Sequence, residues 1–151
     1  MANMPPRHGT PIDEIETPAL VLDLSILERN IETMHAFFRN RPVKVRNVTK
    51  GHKCPEIAKR QMTAEGSVPY GLGCSKVSEA EVMIEVGARD IRMIEQVVGR
   101  AKIARLIGLA RRAHVIALVD DPAHVEDLAA AAAAAKVKRD GMVEIEIGLN
   151  R

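Results

Sequence analysis

Short apolar runs alternate with apolar positions at helical spacing, and each change of period marks a change of element. Residues 17–24, TPALVLDL, form an aliphatic run that predicts a strand. From Ser25 the period changes: Leu27, Ile31, Met34 and Phe38 recur on one helical face, and Ser25 with Glu28 has the spacing of a capping box. Pro42 closes that helix, and residues 43–48, VKVRNV, predict a second strand ending at Thr49 or Lys50. Pro55 suits a first helical position and Gly66 a C-terminal cap. The pattern then repeats. Residues 68–73 predict a glycine-weakened strand; Ser78 with Glu81 gives a second capping box, for a helix ending at Gly87. A strand is predicted around residues 91–95 and a helix over 100–112, with Ile103, Ile107 and Ala110 on one face. HVIALVD is the next strand. Asp121 caps a helix with Pro122 in its first turn and the alanines 129–135 in its body, alanine being the best helix former. Residues 142–147 predict a last strand.

Strands alternating with helices predict an α/β fold with a parallel sheet. Two architectures have this order: a doubly wound, flavodoxin-like sheet, and the first part of a (β/α)8 barrel, which normally needs about 250 residues. The chain stops just after a strand, at Asn150 and Arg151, without a closing helix, the ending expected of an incomplete domain. Residues 1–16, with several prolines and a glycine, read as a loose arm.

Composition narrows the class. The chain has 151 residues, a net charge of +2, 46% hydrophobic residues and only 2% aromatic ones, so its core is built from Ala, Val, Ile, Leu and Met. Basic residues are interspersed with acids along the helical patterns, as on solvated faces, which argues against nucleic-acid binding. No apolar run approaches the ~20 residues of a membrane span. The start of the chain lacks the apolar core of a signal peptide, and Cys54 and Cys74 stand far apart in no metal-ligand spacing; a cytoplasmic protein with free thiols is expected.

In either parallel architecture functional groups gather at the carboxyl ends of strands. Lys50, Cys74, Glu95, Gln96, Asp120 and Arg151 stand at or near such ends. A partly desolvated lysine there serves as an imine-forming nucleophile; the same position also suits a solvated lysine. His52 is a site-lining candidate or a packing group of its loop, and Glu95 and Gln96 are candidates for substrate contact. GLGCS, residues 71–75, lacks the spacing of a dinucleotide fingerprint and reads as a small-residue strand end that leaves room for a cofactor ring. Lys53 reads as a surface charge, His35, His114 and His124 as surface residues, and no cluster predicts a metal site.

The segment RNVTKGHKCPEIAKRQ resembles the lysine segment of the D-threonine aldolase and D-serine dehydratase family, fold-type III pyridoxal-phosphate enzymes related to alanine racemase. TPALVLDLSILERNIETM resembles the family's opening; CSKVSEAEVMIEVGARDI, QVVGRAKIARLIGLAR, VDDPAHVEDLAAAA and VEIEIGLNR resemble its successive units. Asn47 and Val48 depart from it, standing where proline and histidine are usual, as does Gly51 where threonine is common.

The resemblance implies the amino-terminal part of an alanine racemase-like (β/α)8 barrel over residues 25–151, with strand 17–24 pairing into a carboxyl-terminal β domain. It implies pyridoxal 5'-phosphate carried by Lys50, with Gly51 letting the backbone turn away behind it. Arg151 is implied near the cofactor's phenolic oxygen and ring; by their strand-end positions His52, Cys74 and Gln96 are possible lining residues of that site. It implies a lyase acting on D-β-hydroxy amino acids, of the D-threonine aldolase type, cleaving Cα–Cβ to glycine and an aldehyde. The alternatives are a D-serine or 3-hydroxyaspartate dehydratase-type lyase and a non-catalytic pyridoxal-phosphate-binding barrel. A divalent metal, manganese or zinc, and the phosphate loop belong to downstream residues, and the full-length enzyme is expected to be a homodimer. These 151 residues alone are expected to lack turnover.

Overall fold

The computed structural model describes residues 6–138 and 140–149. Within them five strands, β1 (Val45–Val48), β2 (Ser67–Cys74), β3 (Asp90–Met93), β4 (His114–Val119) and β5 (Asp140–Val143), form one sheet. The helices are α1 (Leu24–Phe38), α2 (Pro55–Thr63), α3 (Val77–Glu85), α4 (Arg100–Leu109) and α5 (Pro122–Ala135). Every strand pairs in parallel with its neighbour in sequence, in the order β1-β2-β3-β4-β5. A doubly wound sheet reverses its winding at a switch point, and this order has none. Right-handed crossovers then lay all the connecting helices on one face. That is the winding of a barrel, and the flavodoxin-like alternative falls.

The two faces differ as the winding requires. Leu72, Cys74, Ile91, Met93, Val115, Ala117 and Val119 alternate onto the helix-covered face and are buried with Met83, Ile103 and Leu106 of the helices. Burying each large side chain contributes about 1.5–3 kcal/mol. The intervening positions Arg46, Arg92, Ile94 and Ile116 lie on the helix-free face and are half-buried.

At the amino ends of the strands, that helix-free face carries a ladder of charges. Arg46 reaches across β2 to Asp90 of β3 and grips its carboxylate with two bonds of 3.0 Å. The passage exists because Gly71 has no side chain: a Cβ there would lie 3.0 Å from the Arg46 guanidinium and 2.5 Å from Val68 Cγ1. His114 of β4 continues the row, with Nδ1 3.5 Å from Asp90 and Nε2 2.6 Å from Asp140 of β5.

Several element boundaries shift from the sequence reading. Residues 17–23 form no strand; they run without regular structure, with Leu20, Val21 and Leu22 exposed. Asp23, not Ser25, caps α1: its carboxylate accepts from the Ile26 N–H at 3.0 Å and from the Ser25 hydroxyl at 2.7 Å. The second capping box also moves, because α3 starts at Val77 and Glu79, rather than Glu81, reaches back to the N–H groups of Ser75 and Lys76. Helix α2 stops at Thr63, and Gly66 (φ +95°) turns the chain into β2, where a Cβ would sit 2.9 Å from the His35 carbonyl oxygen. Helix α4 stops at Leu109 and β5 at Val143, each short of its predicted end.

Two of the three histidines read as surface residues are buried. His35 Nδ1 lies 2.8 Å from Ser67 Oγ, and His124 Nε2 lies 3.0 Å from the Val97 carbonyl oxygen. An amphipathic pattern marks histidine as polar, but a neutral imidazole with a partner is readily buried.

Candidate active site

The lysine stands where strand gives way to loop. Beyond Val48, Thr49 prolongs the pairing with β2: its N–H donates to the Gly73 carbonyl at 2.9 Å and its hydroxyl to the same oxygen at 3.2 Å. Thr49 is fully buried, 3.7 Å from Cys74 Sγ on the helix-covered face. Asn47 faces the same way, with Nδ2 donating to the Gln61 carbonyl at 3.3 Å and lying 3.4 Å from His35 Nε2. Strand alternation therefore assigns Val48 to the helix-free face, and Lys50 stands in the turn that follows it. Lys50 is exposed, at the carboxyl end of β1.

Beside Val48, on that face, the surface is small and apolar. A Cβ at Gly73 would lie 3.0 Å from Val48 Cγ2 and 3.3 Å from Ile94 Cγ2, so the glycine keeps the floor between β1 and β3 flat. The departure at Val48 makes this floor apolar, whereas the departure at Asn47 is absorbed by the buried polar contacts with His35 and Gln61. The two neighbouring substitutions thus act on opposite faces.

The loop after Lys50 is tied down at three points. Lys53 N–H donates to the Thr49 carbonyl at 2.8 Å. His52 accepts from the Cys54 N–H through Nδ1 at 3.0 Å, and its Nε2 lies 3.2 Å from Gln61 Oε1. With both ring nitrogens engaged, His52 braces the loop. The Lys53 ammonium pairs with Glu79, whose side chain is 8% exposed. Glu79 also accepts from the N–H groups of Ser75 at 2.9 Å and Lys76 at 3.4 Å. Burial disfavours its charge, but the Lys53 ammonium and these two N–H donors outweigh burial and hold the carboxyl below the usual glutamate range. The left-handed residue of this loop is Lys53 (φ +51°), not Gly51, where a Cβ would meet nothing within 4 Å. The role given to Gly51 thus passes to Lys53.

Cys74 does not line the helix-free face. It is fully buried against the helices, and burial pushes its thiol up to about 11. Gln96 does reach the open end: its amide donates to Asp120 at 3.1 Å and Glu144 at 2.6 Å, linking the ends of β3, β4 and β5. A cavity of about 470 Å³ opens beside them, lined by Ile94, Glu95, Gln96, Asp120, Glu144 and Glu146 among others. Glu144 was not singled out from the sequence because the predicted strand ran past it. The Ser75 hydroxyl is buried without a partner at the end of β2. Arg151 lies outside the described residues. Among the described residues, no group of three or more His, Cys, Asp or Glu is placed to hold a metal ion, and no helix is long and apolar enough to cross a membrane.

An exposed lysine thus follows the first strand of the sheet, whose neighbouring strand end is small and apolar. The model of the alanine racemase N-terminal domain matches residues 22–151. The chain belongs to the alanine racemase N-terminal domain family. Within that family it is 38% identical to a D-threonine aldolase from Arthrobacter sp. over 97% of the chain and 38% of the relative. It is also 38% identical to a 3-hydroxy-D-aspartate aldolase from Paracoccus denitrificans, over 99% of the chain and 38% of the relative. The fold superposes on a D-threonine aldolase from Filomicrobium marinum with a TM-score of 0.91 and 46% identity, covering 99% of this chain and 40% of that one. On a D-threo-3-hydroxyaspartate dehydratase from Delftia sp. HT23 the TM-score is 0.77 at 25% identity, covering 91% and 37%. The chain thus spans about two fifths of its relatives' length. The family resemblance carried by the lysine segment is borne out, as is the α/β barrel-type fold.

Proposed function

We propose that this chain is the cofactor-lysine part of a pyridoxal-phosphate-dependent lyase of the D-threonine aldolase type, acting on D-β-hydroxy amino acids. The observation that supports the reading is an exposed lysine, Lys50, in the turn just past the carboxyl end of β1. The described residues fit the aldehyde side of the cofactor. Lys50 supplies the amine, and Gly73 leaves space that a Cβ would fill, pressed against Val48 and Ile94. The Ser75 hydroxyl, buried and unpartnered, is a spare polar group at the end of the adjacent strand. Lys50 Nζ would hold the cofactor covalently, and Arg151 would stand beside its ring. Bound pyridoxal phosphate supplies an electron sink for negative charge developing at the substrate's Cα. Lys50 Nζ, when free, is a base at the strand end able to take or return a proton. Val48 and Ile94 offer that region no polar group, and Gln96 fixes the carboxylates of Asp120 and Glu144 across the mouth.

The aldolase reading is preferred to the dehydratase because the superposed aldolase is 46% identical and the dehydratase 25%. A divalent metal, a homodimer of the full-length enzyme and a cytoplasmic location belong to the same proposal. The free thiols of Cys54 and Cys74 support the last.

The test is chirality. The chain is incubated with pyridoxal phosphate and D- or L-threonine, reduced with borohydride, and the adduct at Lys50 quantified by peptide mass spectrometry. Free cofactor reacts equally with both enantiomers, so only a protein site separates them. D-threonine is expected to compete the adduct away from Lys50 more strongly than L-threonine; equal competition contradicts the reading. Release of an aldehyde by these 151 residues alone is not expected.

A further inference from the structure

The loop beside Lys50 is clamped through Lys53. The sequence pattern reads Lys53 as a surface charge. Its backbone adopts the left-handed conformation (φ +51°), which a side chain with a Cβ rarely takes. Such a conformation persists where the surroundings over-determine it, and it clusters at functional loops. Here three contacts hold it: the N–H on Thr49, the His52 brace on Cys54 and Gln61, and the ammonium on Glu79.

Glu79 is the unusual partner. Its carboxylate sits in the first turn of α3 with its side chain 8% exposed. One oxygen caps the N–H groups of Ser75 and Lys76 and the other takes Lys53. One carboxylate therefore ties the loop after β1 to the loop after β2, three residues from Lys50. An exposed ion pair contributes little, whereas one anchored on a buried carboxylate has a defined geometry to impose.

We infer that Lys53 and Glu79 are positioning residues that fix the backbone carrying Lys50, so that the reactivity of the Lys50 amine toward an aldehyde cofactor depends on the pair. The inference rests on the proposed role of Lys50. The pair acts by holding residues 50–54 in one conformation. Displacing a reacting group by about 1 Å can cost on the order of a hundredfold in rate.

The test compares the unaltered chain with Lys53→Met, Glu79→Gln and Lys53→Arg, each confirmed as folded by circular dichroism. The first readout is backbone amide exchange at positions 53 and 54. The second is the borohydride-fixed pyridoxal-phosphate adduct at Lys50 relative to adducts on the other lysines, followed against pH. Lys53→Met and Glu79→Gln are expected to speed loop exchange and lower the Lys50 ratio by about tenfold, and Lys53→Arg to restore both. Unchanged exchange in Lys53→Met overturns the clamp whatever the cofactor does. Faster exchange with an unchanged Lys50 ratio overturns its link to reactivity. Failure of the unaltered chain to favour Lys50 defeats the cofactor reading instead, and with it the link to reactivity, while exchange still reports on the clamp. If Lys53→Met does not fold, the decision passes to Glu79→Gln, which keeps an oxygen for the Ser75 and Lys76 N–H groups and removes only the charge that Lys53 meets.

Discussion

The helix-free face has two ends, and they treat charge differently. At the amino ends of the strands Arg46, Asp90, His114 and Asp140 are joined to one another across the sheet. At the carboxyl ends Lys50 is exposed, and the Gln96 amide tethers the acids of two neighbouring strands. The same strands supply both ends. In a barrel the amino end serves stability and the carboxyl end chemistry. Substitutions at the two ends should therefore separate stability from reactivity.

The largest expected effect is at the amino end. Gly71→Val drives a side chain into Val68 and pushes Arg46 off Asp90, at a cost of about 3 kcal/mol or more in chemical denaturation. Asp90→Asn leaves the Arg46 guanidinium, only 15% exposed, without its carboxylate; a loss of about 1–3 kcal/mol is expected. At the carboxyl end Lys50→Ala should change stability by no more than about 0.5 kcal/mol while abolishing the borohydride-fixed adduct at that position. Comparable destabilisation by Asp90→Asn and Lys50→Ala would erase the contrast between the ends.

Two smaller effects sharpen it through protonation. Glu79 is held below its ordinary value of 4.5, so the folded state favours its charged form. Its contribution is present above the unfolded value and is lost as pH falls through the lowered folded one. Glu79→Gln should flatten that acid limb of the stability curve; an unchanged limb would show that Glu79 contributes nothing there. Cys74, raised to about 11, remains a thiol at pH 8. A thiol-alkylating reagent should therefore label Cys54, and reach Cys74 only after unfolding.

Much of this was legible in the sequence. Each βα unit announced itself by period, Pro55 and Pro122 stood at helix starts, and Asp121 capped α5 through the Ala123 N–H. Strand order could not be read, since local pattern gives no pairing; only the sequential registers removed the doubly wound alternative. Residues 17–23 look like a strand because aliphatic content measures burial tendency, and among the described residues no strand pairs with them. At the site, position identified Lys50, but orientation divided the remaining candidates. Cys74 and Gln96 both stand near strand ends, yet Cys74 turns to the helices and Gln96 to the mouth. Lys53 and Glu79 are far apart in sequence, and their pairing depends on two loops meeting in space.

The measurement that bears most directly on the central claim is the distribution of pyridoxal-phosphate adducts among the lysines of the unaltered chain after borohydride reduction, resolved by peptide mass spectrometry. The account predicts that Lys50 carries most of the label at low cofactor concentration. Label spread evenly over Lys44, Lys50, Lys59, Lys76 and Lys102 would contradict it.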